Sequence, residues 1–408
     1  MAVKKYVIVG TSGRGLYMYA KPMLERFGEF AELKGICDIN PKRMDFYDQE
    51  LKTAIPHYTN FDKMIKETKP DRVIVTTIDR YHHEYIIKAL NAGCDAIAEK
   101  PMTIDEKKCA AILKTEKKTG KKVIVTFNYR YNPYVTRIKE LVKEGLVGNT
   151  FSVDFEWFLD IRHGADYFRR WHRRKENSGG LLVHKATHHF DVVNWFLEDE
   201  PDTVFAFGNR CFYGPKRKER GERCLTCKYK ETCEFYWDIS SDPFNKSMYL
   251  ACEDADHYYR DKCVFSKEID IEDTMSVNVK YAKGTILTYS LIAYAPYEAW
   301  RMSINGSEGR IEAEEFHSGS RVKDAFSTIK YFNRKNDEAL VYKIPKIIEG
   351  HGGGDEKLLK MLFIGNIPDP LNHAAGSWEG AMSIMIGISA NKSIATGLPV
   401  EVKKLLSV

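Results

Sequence analysis

Long hydrophobic runs are missing from this chain. None of its 408 residues belongs to an apolar stretch near the roughly 20 residues that a membrane-spanning helix needs, so no membrane span is expected. Charge of one sign is also scarce. Against 62 Lys and Arg stand 57 Asp and Glu, and the formal excess of +5 gives no electrostatic case for nucleic acid or a membrane surface as partner. There is no internal repeat and no low-complexity tract. The first strand follows Met1-Ala2-Val3-Lys4-Lys5 at once, leaving no room for a charged leader and cleavage site, and a cytoplasmic protein is the expectation. A disulfide framework is not expected either. Nine cysteines is an odd count, and in a reducing compartment they serve as thiols or metal ligands. What is present is ordinary for a folded chain: 43% apolar and 29% charged residues, with length enough for two sizeable domains.

Lys5-Tyr6-Val7-Ile8-Val9 is a short apolar run of the kind a buried parallel strand needs. It delivers into Gly10-Thr11-Ser12-Gly13-Arg14-Gly15. Glycines there let the backbone approach a pyrophosphate and offer it the free amides of the next helix. The spacing is GxxGxG rather than the commoner GxGxxG, and alone it could be only a turn. A second strand, Leu33 to Cys37, ends in Asp38, near the spacing at which an acid takes the ribose hydroxyls of a dinucleotide. A carboxylate there favours NAD over NADP, although Lys42-Arg43 downstream could neutralise a 2′-phosphate. Asp38 could instead cap the helix that starts near Pro41. Strands then follow at 72–76, ending near Lys100, and at 122–126, separated by helices at about 83–92 and 104–119. This alternation predicts a Rossmann-type, doubly wound parallel sheet over residues 1–127.

The strand ending in Ala98-Glu99-Lys100-Pro101 puts the Lys100 ammonium at the carboxyl edge of that sheet, where open α/β sheets bind ligands. Together with the glycine turn, Glu99-Lys100-Pro101 resembles the glucose-fructose oxidoreductase and inositol dehydrogenase family, Gfo/Idh/MocA. The family's Thr-Pro-x-x-x-His segment is matched by Thr77 and His82, with Ile78 in place of the proline. The resemblance implies that Lys100 faces substrate and cofactor, and that Gly10, Ser12, Gly13, Arg14, Gly15, Asp38, Thr76, Thr77, His82 and Glu99 lie at the cofactor.

Beyond residue 127 the texture changes to long alternating strands at 151–157, 203–207, 273–281, 285–294, 301–305, 309–313, 327–332 and 339–344. They predict a second domain, 128–408, built on a large, mainly antiparallel open sheet covered by helices on one face. A buried last helix, about 378–396, could pack back on the first domain. In the family the open face meets a second subunit, which implies a homodimer or homotetramer.

Gly179-Gly180 leads into a stretch with His184, Lys185, His188, His189 and Asp191. Read as one helix from His184, it sets His184 and His188 on one face. By the family's register His188 matches the histidine near the nicotinamide, while His184 takes the place of the family's acid. His189 and Asp191 read as packing or capping residues. An i,i+4 histidine pair also suits zinc, but no third ligand is obvious. In the run Tyr167 to Arg174, Arg169 and Trp171 are candidates to border the substrate, with a solvated basic loop as the alternative. Gly350-His351-Gly352-Gly353-Gly354-Asp355 reads as a loop before a helix, with His351 lining the cleft or Asp355 capping the helix. A polar insertion at about 211–265 carries Cys224-x-x-Cys227-x5-Cys233. With Cys263, or His257 or Cys252 in its place, these could hold a structural zinc, with an iron-sulfur cluster or free or disulfide-linked cysteines as alternatives.

The resemblance implies hydride transfer between a secondary hydroxyl of a sugar, glycoside or cyclitol and a nicotinamide, with NAD as cofactor. His188 is expected as acid/base, Lys100 as the group that polarises the oxygen and relays its proton, and Lys185 and His184 as their supports. Two rivals stand beside it: a glycosidase or lyase that recycles tightly bound NAD through a transient keto-sugar, and a non-catalytic dinucleotide or sugar sensor.

Overall fold

The apolar run after Lys5 forms β1 (Lys4–Val9), and its alternate side chains go to opposite sides of the sheet. Tyr6 and Ile8 pack on one side with Ile74 and Ile97. Val7 and Val9 pack on the other with Val73, Val75, Ala96 and Ala98. Burial on both faces is what a central parallel strand requires. The computed structural model describes residues 3–336, 339–347 and 350–406.

The first sheet contains β1, β2 (Ala31–Cys37), β3 (His57–Tyr58), β4 (Arg72–Val75), β5 (Asp95–Ala98) and β6 (Val123–Val125). Their order is β3-β2-β1-β4-β5-β6, the doubly wound arrangement whose ligand crevice lies beyond the carboxyl ends of β1 and β4. The intervening helices start on side-chain caps where the sequence offers them: Asn40, Asn60 and Asp105 each accept from the backbone amide three residues on. The helix expected from residue 83 begins at Asp79 instead, directly after the extended residue Ile78.

The second sheet comprises β7 (Thr150–Asp160), β8 (Pro201–Asn209), β9 (Thr274–Tyr281), β10 (Ile286–Ala295), β11 (Ala299–Gly306), β12 (Gly309–Phe316), β13 (Phe326–Asn333) and β14 (Ala339–Pro345). Two short strands follow, β15 (Ala375–Gly376), which joins the first sheet beside β6, and β16 (Val400–Glu401), which joins the second beside β8. Every pairing in the second sheet is antiparallel except β7 with β10. Phe155, Trp157 and Tyr289 point inward and are buried, whereas Asp154, Glu156 and Thr288 point outward. Helices Thr187–Leu197 and Ser377–Thr396 contribute to the covered side.

Two expected elements take another form. Helix Gly350–Phe363 runs through the glycines that read as a loop. The glycines serve close packing: a Cβ on Gly354 would fall 2.4 Å from the Asn128 carbonyl oxygen. The single helix expected from His184 is two, Leu181–His184 and Thr187–Leu197, with the chain turning at Lys185–Ala186. The His184 and His188 side chains therefore do not share one helical face.

Candidate active site

A cavity of about 1090 Å³ runs from Asp38 across the glycine loop to Lys100 and on between the two sheets. At its first end Gly10 has φ +92°, and a Cβ there would lie 2.6 Å from the Thr77 amide nitrogen, so only glycine lets β1 and β4 leave the sheet this close together. Thr76 reinforces that junction by donating its hydroxyl to the Gly10 carbonyl at 2.5 Å. Ser12 Oγ accepts from the Gly15 amide at 3.1 Å and closes the loop onto the next helix. The Asp38 carboxylate is held by the Thr11 amide at 2.6 Å and the Asn40 amide at 2.8 Å. Thr11 Oγ1 is buried without a hydrogen-bond partner. An orphaned hydroxyl, a close-approach glycine turn and a fixed carboxylate along one long cavity fit the ribose and pyrophosphate of a dinucleotide.

In the middle of the cleft Arg14 and Glu99 are partners. The guanidinium donates from Nε to Glu99 at 2.7 Å, and the Tyr19 hydroxyl donates to the same carboxylate oxygen at 2.6 Å. Burial opposes the Glu99 charge, but Arg14 and Tyr19 outweigh it and hold the carboxyl below its ordinary value. His82 bridges the Pro101 carbonyl at 2.9 Å and the Thr77 carbonyl at 3.0 Å, fixing the β4 loop to the Lys100–Pro101 turn, whose peptide bond is cis.

At the far end Lys100 Nζ donates to the His184 carbonyl at 3.1 Å. Burial lowers its ammonium to about 8, with Asp79 opposing and Lys185 adding to the fall. Asp79, the residue after the Ile78 departure, contacts His184 Nδ1 at 2.5 Å. Burial raises the Asp79 carboxyl, with Lys100 opposing, and burial followed by the Lys100 charge lowers His184. At that distance a proton can pass between the Asp79 carboxyl and the His184 imidazole. The His184 ring meets His172 edge-on with centroids 4.2 Å apart. Lys185 extends over the Trp157 ring at 4.6 Å, and burial lowers its ammonium while Glu298 opposes. Glu298 is also bound by His163 Nδ1 at 2.9 Å, and His163 Nε2 reaches the Tyr167 hydroxyl at 3.0 Å. His188 lies edge-on to Phe127 and Tyr129 and lines the same cavity.

Two family models match this chain, an oxidoreductase family NAD-binding Rossmann fold over residues 4–127 and an oxidoreductase family C-terminal alpha/beta domain over residues 139–402. The chain belongs to the Gfo/Idh/MocA family. It is an NAD(P)-dependent oxidoreductase. The protein YteT from Bacillus subtilis is 41% identical over 99% of both chains. An inositol 2-dehydrogenase/D-chiro-inositol 3-dehydrogenase from Lactiplantibacillus plantarum is 26% identical over 43% of this chain and 48% of its own. An oxidoreductase from Agrobacterium radiobacter, solved with NAD+, L-tartaric acid and magnesium, superposes with a TM-score of 0.68 at 14% identity, covering 99% of this chain and all of its own.

Within this Gfo/Idh/MocA framework several sequence expectations change. Arg169 is not among the residues that line the cleft. It points into the insertion, donating to Cys224 Sγ at 3.1 Å and to the Phe235 carbonyl, while its neighbour Arg170 lines the cleft beside Trp171. Structural zinc is not supported. Cys224, Cys227, Cys233 and Cys263 line one small cavity, yet among the described residues no three of His, Cys, Asp or Glu converge as a metal-ligand group. The sulfurs of Cys224 and Cys233 instead accept from Arg169 and Arg217, and the insertion is tied by Asp273 accepting the amides of Cys211, Phe212 and Tyr213 and by Arg223 pairing with Glu253 and Asp261. The absence of a metal group covers His184 and His188 as well. The His351 side chain lies outside the described residues, and Asp355 accepts from Asn128 at 2.5 Å. His189 and Asp191 are braces: His189 bonds the Tyr289 hydroxyl at 2.7 Å, and Asp191 forms a buried pair with Arg130 at 2.6 Å. Asp79, His172, His163 and Glu298 were missed. Only Asp79 carried a sequence signal, its position beside the loop where the family's proline is replaced.

Proposed function

We propose that this enzyme is an NAD-linked dehydrogenase acting on a secondary hydroxyl of a sugar, glycoside or cyclitol. The observation that carries the reading is the placement of Lys100, half-buried at the cleft with Nζ on the His184 carbonyl and Asp79 in contact with the His184 ring, where desolvation lowers its ammonium to about 8. A bound nicotinamide supplies the hydride acceptor or donor. The chain's own part is to hold the hydroxyl and move its proton. Lys100 sits on the strand end beside the cofactor loop and exchanges a proton near neutrality, as general acid/base work requires. His184 and Asp79 take up or return that proton, and the carboxylate that the family carries on the second domain is here supplied by the first. His188 faces the cavity from the Thr187–Leu197 helix as the second acid/base, and Trp171 offers an apolar face to a sugar ring. Lys185, held over Trp157 beside Glu298, positions substrate oxygens.

The outer face of the second sheet exposes Phe207, Ile286 and Phe326, which supports a homodimer or homotetramer formed through it. Light scattering on the purified protein tests this.

The deciding experiment follows absorbance of reduced nicotinamide when protein and NAD meet a panel of glucosides, free hexoses and inositols, with Lys100→Met alongside. A rise with one class that disappears in the variant supports the dehydrogenase. One observation favours a second reading, the recycled-NAD glycosidase or lyase. The insertion closes over the glycine loop, with the Gly13 amide donating to the Tyr249 hydroxyl at 3.3 Å and Phe244 against Gly13, a covering that would slow exchange of a dinucleotide held beneath it. Product formed without net reduced nicotinamide would select it.

A further inference from the structure

Asp38 is followed by two cations, Lys42 and Arg43, on the helix Pro41–Leu51. Those are the groups a 2′-phosphate would recruit if NADP were bound. Arg43, the better placed of the two, is already engaged. Residues 238–260 of the insertion fold back over this end of the first domain and bring Asp254 and Asp256 to them. Arg43 Nη2 pairs with the Asp256 carboxylate, and their side chains are only 13% and 7% exposed. The guanidinium also lies 5.8 Å from the Tyr258 ring centre. Arg43, Asp38, Asp256 and Tyr258 all line the one cleft. Lys42 meets Asp254 at 2.7 Å, but both are well exposed, and such a pair is weak and easily exchanged.

The arm is fastened to the cofactor loop independently of these charges. Asn40, which caps the helix bearing Arg43, donates its side-chain amide to the Cys252 carbonyl at 2.9 Å. Phe244 packs on Tyr17 and Phe46 with ring centres 5.5 and 5.9 Å apart. With the arm seated, a phosphate could draw Arg43 to itself only by stripping a nearly buried Asp256 of its counter-charge, which is costly. Specificity often rests on such a withheld contact as much as on a favourable one.

We propose that Asp256 is a cofactor-selecting residue: from the second domain it sequesters Arg43 and so makes the adenosine pocket take NAD rather than NADP. The proposal rests on the NAD-linked reading above and is separable from it by binding alone. Purified full-length wild type, Asp256→Asn, Arg43→Ala and the double variant are titrated with NADH and with NADPH, following nicotinamide fluorescence. Wild type should bind NADH at least tenfold more tightly. Asp256→Asn should move the ratio of dissociation constants at least tenfold toward NADPH, and adding Arg43→Ala should remove that gain. Arg43→Ala alone should leave NADPH affinity within about threefold, because in the wild type Arg43 is already engaged by Asp256. An unchanged ratio in Asp256→Asn, a gain that survives loss of Arg43, or a tenfold loss of NADPH affinity in Arg43→Ala alone would each overturn the selector. A wild type that binds neither dinucleotide would instead sink the NAD-linked reading beneath it.

Discussion

The two ends of the cleft handle charge in opposite ways. At the Asp38 end, Arg43 faces Asp256 and Lys42 faces Asp254, and the carboxylate of Asp38 is held by two backbone amides. At the Lys100 end, two lysines and several histidines crowd a desolvated region beside Asp79, Glu99 and Glu298. Paired charges of opposite sign serve recognition. Crowded, desolvated charges are displaced toward neutrality and become able to exchange protons at working pH. One cavity thus carries an inert, discriminating end and a reactive one, and the same physics of burial separates them.

The sharpest way to break this contrast is at Lys100. Lys100→Met should lower turnover by about 10³-fold or more, within the range of a lost general acid/base, while the dissociation constant for NADH changes by less than about threefold. Near-normal turnover would remove Lys100 from the mechanism. Asp79→Asn should cost about 10²-fold in kcat, because an amide can bond His184 but cannot share its proton. An effect confined to KM would make Asp79 a mere brace. Next comes pH. Because burial brings the Lys100 ammonium down to about 8, alcohol oxidation, which needs a proton acceptor, should rise with pH up to about 8 and level off above it. Carbonyl reduction should fall across the same range. A flat oxidation profile between pH 6 and 9 would contradict that assignment. The smallest effect belongs to the other end: Lys42→Ala, which removes an exposed pair, should change the NADH to NADPH affinity ratio by less than about twofold. A tenfold change would show that surface charge, not the buried Arg43–Asp256 contact, governs that pocket.

Local pattern carried much of the architecture. Alternation of apolar residues located each long strand of the second sheet to within a few residues, since period-2 burial is written into neighbouring positions. The glycine turn after β1 and the Lys100–Pro101 strand end were equally visible, because backbone freedom and restriction belong to residue types. Where local pattern competed with packing, packing won. Nothing at Lys185–Ala186 resembles a helix break, yet the chain turns there. The glycines after Gly350 resemble a loop, yet they let a helix lie against Asn128. Arg169 and Arg170 are adjacent in sequence, and only the fold sends one to a cysteine sulfur and the other to the cleft.

The sequence by itself therefore determined the two sheets, the glycine loop, the lysine at the strand end and the family resemblance, all of which depend on short-range order. Tertiary structure alone decided the partnerships. Asp79 meets His184 across 105 positions, and Asp256 reaches Arg43 from an insertion in the other half of the chain. A side chain's chemistry is set by what surrounds it, and at these sites the surroundings come from elements that no periodicity, cap or turn signal connects.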